Sequence, residues 1–112
     1  MIEKTILEYL NARLDVPVYM EVPAKRIPAS YVIIEKTGSS KNDYLYTSMM
    51  TFKSCAPSLY RAAELNEAVK AAMDDAVTLP EVTRSRLNSD YNYTNTATKT
   101  YRYQAVYDIW HY

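Results

Sequence analysis

Glycine is almost missing from this chain, with Gly38 the single instance among 112 residues. Nucleotide and phosphate sites commonly need a backbone that approaches the ligand closely, so this shortage removes the Gly-rich cradles that serve them. Cysteine is equally scarce. Cys55 stands alone, cannot form an internal disulfide and has no metal-ligand spacing around it. An ordinary strand-end thiol in a reducing compartment is expected. The one histidine, His111, lies at the far end of the chain from Cys55, and the serines are scattered without an elbow motif or a paired histidine. His111 is therefore expected to be a terminal strand residue with no catalytic task. Asp74 and Asp75 are adjacent on a helical stretch and point about 100° apart, so they cannot share a proton or a metal directly. No catalytic residue, metal site, cofactor or small-molecule substrate is expected, and the chain is read as a non-enzyme.

Charge of one sign is also lacking, because 13 basic residues balance 13 acidic ones. A protein held to nucleic acid mainly by phosphate neutralisation would be basic, so only a local basic patch could serve that purpose. No apolar run approaches the roughly 18 residues that a membrane span requires, and no basic-then-apolar leader opens the chain. A soluble protein made in the cytoplasm, with no membrane partner, is expected.

What is present in excess is tyrosine, 12 residues against one Phe and one Trp. A tyrosine on a strand packs one side of its ring and offers a hydroxyl to water or to a partner, which suits a chain built for contact. At this length one domain, residues 1–112, buries about two-thirds of its unfolded surface and needs no staples.

The longest helical period runs through residues 54–77. Leu59, Ala62, Ala63, Val69, Met73 and Val77 fall on one face, with Glu64, Glu67, Ala71 and Asp75 opposite. Ser58 is the expected N-cap, and Pro80 prevents continuation. Asn66 sits inside the apolar arc, where it should bond the backbone of a neighbouring strand. Residues 1–14 form a first amphipathic helix on Ile2, Ile6, Leu7, Leu10 and Leu14. Residues 16–22, bounded by prolines, read as an edge strand, and residues 31–37 (YVIIEKT) as a central one. Residues 38–43 (GSSKND) have turn composition and should make a long hairpin loop, either solvated or ordering on a partner. Residues 44–55 form a third strand, long enough to carry a bulge or project past the sheet. Residues 82–93 form a fourth strand, an edge with Arg84 and Arg86 on one face. A loop at residues 94–99 leads into a central last strand, 100–111. The class is α+β: a mixed, mainly antiparallel sheet of about five strands with two helices packed on one face.

Aromatic rings interleaved with cations, Tyr91, Tyr93, Tyr101 and Tyr103 with Arg84, Arg86, Lys99 and Arg102, could stack single-stranded bases. They lack the strand signatures of the common RNA modules, and they fit a protein interface better, where Tyr and Arg are the usual anchors. The candidate partner-binding residues are Lys41, Asn42, Asp43 and Tyr44 in the first hairpin, and Arg84, Arg86, Tyr91, Tyr93, Lys99 and Arg102 in the second.

Four segments, ILEYLNARLDVPVYMEVP, SYVIIEKTGSS, SCAPSLYRAAELNEAVKAAM and LNSDYNYTNTATKTYRYQAVYDIWHY, together resemble the small tail-completion proteins of long-tailed phages and prophages, the tail terminators. The resemblance covers nearly the whole chain in order of elements and texture, without one diagnostic motif. It implies an α+β virion subunit that assembles with itself as a ring, typically hexameric, on the head-proximal end of the tail. Such a ring would stop polymerisation of the tail tube protein and meet the head-closure or connector protein, with DNA only passing through the lumen. Neighbouring head-closure and connector proteins are similar in size and composition. A head-closure role and a single-stranded nucleic-acid module therefore stand as alternatives. The resemblance carries over no site residue.

Overall fold

A computed structural model describes all residues, Met1–Tyr112. The first helix, α1 (Ile2–Arg13), buries Ile2, Ile6 and Leu10, three residues at four-residue spacing that line one stripe. The second, α2 (Leu59–Asp74), buries Ala62, Asn66, Val69, Ala72 and Met73. Its N-cap is Ser58, whose hydroxyl accepts from the Arg61 amide at 3.2 Å and satisfies one of the free donors of the first turn. The expected stripe does not reach Val77. The chain tightens into a 3-10 turn at Ala76–Thr78, which buries Ala76 in place of Val77 and leaves Val77 in solvent.

Five strands follow the order β1-β2-β3-β5-β4, where β1 is Val18–Tyr19, β2 Tyr31–Asn42, β3 Leu45–Ala56, β4 Val82–Asn92 and β5 Tyr101–His111. Only the β1–β2 pair is parallel; the others are antiparallel. The fold is α+β, with two helices against a mixed, mainly antiparallel sheet. Because β3 and β4 are each antiparallel to β5, the crossover through α2 leaves them parallel with β5 inserted between them. Alternate residues of the central strands face the helices: Val32 and Ile34, Met50 and Phe52, Ala105, Tyr107 and Ile109. They join the helix stripes in one core of 16 buried residues.

Three expectations from the sequence are corrected. Residues 38–42 are not a loop. They pair with β3 from Gly38↔Met49 to Asn42↔Leu45, so the hairpin turn is confined to Asp43 and Tyr44. Gly38 has an ordinary φ and nothing within 4 Å of where its Cβ would lie; the left-handed position belongs to Asp43, at φ 57°. Pairing with β3 has overridden the turn composition. The third strand, expected to carry a bulge or project past the sheet, is paired with β2 from Leu45 to Cys55, and the bulge lies across the ladder, between Lys36 and Gly38 of β2. The edge strand expected over residues 16–22 is only Val18–Tyr19. Asn11 of α1 fixes it by donating to the Val18 carbonyl and accepting from the Val18 amide, at 3.2 and 3.0 Å. Consequently β2 has two strand neighbours only at Val32 and Ile33, and its other side is open beyond them.

Strands of 12 residues at about 3.3 Å each reach about 40 Å, which accounts for overall dimensions of 45 × 24 × 23 Å. No helix is long and apolar enough to cross a membrane.

Candidate functional site

Both helices lie on one face, so the strand alternation puts every second residue on an uncovered face. Ladder partners assign Met49, Lys53, Arg102, Gln104, Asp108 and Trp110 to it, joined by Arg84, Arg86 and Tyr91 from the edge strand β4. The two hairpins extend this surface in opposite directions. Tyr46 pairs with His111 and Ala56 with Tyr101, so the β2–β3 turn and the β4–β5 turn stand at opposite ends of the strands.

This geometry regroups the sequence candidates. Lys41, Asn42, Asp43 and Tyr44 occupy one end, where Lys41 lies over the Tyr46 ring at 5.1 Å. Tyr91, Tyr93, Lys99 and Arg102 occupy the other. There the Arg102 guanidinium stacks on Tyr93 at 4.4 Å, and Tyr91 meets Tyr93 edge-on at 6.2 Å. Arg84 and Arg86, grouped with the second hairpin from sequence, instead pair with Trp110 and Asp108, toward the first hairpin. Arg84 lies 4.8 Å over the Trp110 ring. Beside that stack, Asn42, Asp43, Tyr44, Thr47, Trp110 and Tyr112 line a depression of about 510 Å³. Trp110 and Tyr112 escaped the sequence reading because nothing in their own neighbourhood reveals that they meet the first hairpin.

His111 is buried on the helix side. Its Nδ1 lies 3.2 Å from the Tyr112 main-chain oxygen and its Nε2 2.7 Å from the Ser48 hydroxyl. The oxygen can only accept, so Nδ1 carries the proton and Nε2 accepts from Ser48. The ring also stacks on Tyr46 at 5.5 Å. Burial, the largest cause, holds the imidazole pKa below its ordinary value. Ser48 is 1 % exposed and both ring nitrogens are engaged within the chain, and the pair forms part of the lining of a depression of about 310 Å³ with Glu3, Lys36 and Tyr46. Cys55 is likewise buried, and burial pushes its thiol pKa up, away from the reactive thiolate. No group of three His, Cys, Asp or Glu residues could hold a metal ion.

The polar residue of the α2 stripe departs from expectation. Asn66 donates at 3.0 Å to the Asp90 side chain of β4, not to strand backbone, and its own carbonyl oxygen is buried without a partner. Lys70 lies 2.9 Å from both Asp90 and Glu67. The Lys70 ammonium, chiefly, lowers the Asp90 pKa. Asp90 gave no signal in sequence, since its partners lie 20 and 24 residues upstream on a helix.

No family model matches this chain and no curated protein matches it.

Proposed function

We propose that this chain is a tail-completion subunit of a long-tailed phage, a terminator that caps the tail tube as a ring of identical copies. The observation that carries the reading is a pair of unpaired strand edges on opposite sides of one sheet: β2 from Ile34 onward, and the whole outer side of β4. These strands run antiparallel to each other. In copies arranged head to tail, β4 of one meets β2 of the next as an antiparallel pair, and the same contact repeats until the ring closes. Register shifts at Val82/Arg84 and Leu87/Ser89, together with Arg84 and Arg86, guard the β4 edge against indiscriminate pairing.

The hairpins at opposite ends supply two separate polar and aromatic surfaces. One suits the tail tube protein and the other the head-closure or connector protein, while DNA passes through the lumen. The chain would then reside at the head-proximal end of the tail, after assembly in the host cytoplasm. Negative-stain imaging of particles made without this gene tests the reading. Free heads beside overlong, irregular tubes are expected. Normal-length tails beside leaking heads would move the protein to the head-closure side, and intact virions would overturn both.

A further inference from the structure

The contact between copies can be assigned more closely, in an inference that rests on the ring reading. On one edge of the sheet, residues 20–30 connect β1 to β2 and expose three large apolar side chains: Met20 at 45 %, Val22 at 52 % and Ile27 at 54 %. Between them stand Lys25 and Arg26, neither with an ion pair in the chain. The segment thus offers both apolar side chains and two cations without partners.

On the opposite edge, α2 and β4 enclose a depression of about 340 Å³ whose walls include Tyr60, Glu64, Asn66, Glu67, Asp90 and Tyr103. Its chemistry is that of an acceptor. Asn66 is 1 % exposed, and its carbonyl oxygen has no donor anywhere in the chain. The three carboxylates face two cations, Lys70, shared by Glu67 and Asp90, and Arg61, on Glu64. One negative charge therefore stays uncompensated. Tyr60, 75 % exposed, stands in this wall, where its ring offers a face to a guanidinium.

The ends of segment 20–30 join the sheet near the level of the depression: Tyr19 pairs with Ile33 and Tyr31 is level with Cys55 and Arg102, while the neighbouring Val32 is level with Tyr103 and Ile34 with Asp90. A single lateral step from one copy to the next brings segment 20–30 against the depression, in the same movement that brings β2 to β4. We propose that Arg26 of one copy enters the α2–β4 depression of the next, donating to the Glu67 and Asp90 carboxylates. Ile27 and Val22 would cover the adjoining apolar surface. The occupant is a second copy of this chain because the free cations lie on one edge of the sheet and the uncompensated carboxylate charge on the other, near the level where segment 20–30 joins the sheet.

The test is oxidation of a concentrated Cys55→Ser, Ile27→Cys, Ala63→Cys variant, checked for folding by circular dichroism, with and without tail tubes. The expected result is a ladder of covalent oligomers whose disulfides join positions 27 and 63 of different copies. The ladder should be lost on adding Arg26→Glu. Association by sedimentation without that link would overturn the docking assignment and leave the ring reading standing. No association and no link, even with tail tubes present, would overturn both.

Discussion

The same five strands present two unlike surfaces. Toward the helices, Val32, Met50, Phe52, Ala105, Tyr107 and Ile109 are fully buried, and Tyr107 meets Phe52 edge-on with ring centres 6.0 Å apart. Toward solvent, the intervening residues include Arg84, Arg86, Met49, Tyr91 and Trp110; Arg84 stacks on Trp110 and Tyr91 meets Tyr93 edge-on, but no element covers them. Strand alternation alone cannot tell these faces apart in importance. The helices do so by removing one face from water, which leaves the other face, the edges and the hairpin ends free for contact.

The sharpest way to break the comparison is truncation on each face of β3. Phe52→Ala removes a ring from the closed core and is expected to cost about 3–5 kcal/mol in urea denaturation. Met49→Ala, on the uncovered face and 40 % exposed, should cost less than about 1 kcal/mol. Equal losses would mean that the uncovered face is as tightly packed as the core. Next is Tyr107→Phe. The hydroxyl donates to the Asp74 carboxylate at 2.9 Å and lies 3.1 Å from the Lys70 carbonyl, so its removal should cost about 1–1.5 kcal/mol.

A smaller effect separates the covered face by pH. The folded His111 pKa lies below the unfolded value of about 6.5, so between the two the unfolded chain binds more protons. Stability should be level above that window and fall as pH drops through it. His111→Gln, which keeps a hydrogen-bonding group but does not titrate, should flatten the fall in denaturation midpoints measured from pH 7.5 to 5. Smallest of all is Arg84→Ala. Releasing an exposed cation from the Trp110 ring should change stability by about 0.5–1 kcal/mol at most, while shifting Trp110 fluorescence.

The covered face was the more legible one in sequence. Ile2, Ile6 and Leu10 announce α1 by spacing, Ser58 announces the start of α2, and alternation with apolar residues on both faces marks β5 as internal. Local composition failed where pairing decided the outcome. Gly38, Ser39 and Ser40 have little intrinsic strand preference and become β2 only because β3 lies beside them. The uncovered surface was half legible. The residue types that would make contacts could be chosen, but their grouping depends on register. Only the ladder reveals that Arg84 sits on Trp110, or that Asn66 turns to Asp90. Segment 20–30 is not marked as a contact surface in the sequence because Met20 and Val22 continue the alternation of an edge strand and Ile27 stands alone in a loop.

Amide hydrogen exchange of this chain, free and bound to purified tail tubes, tests most directly whether the free edges are the assembly surfaces. The expected result is new protection along β4 and along β2 beyond Ile34, with the amides of β3, paired on both sides, unchanged. Bound protein whose β4 and β2 amides exchange as fast as in the free chain would contradict the account.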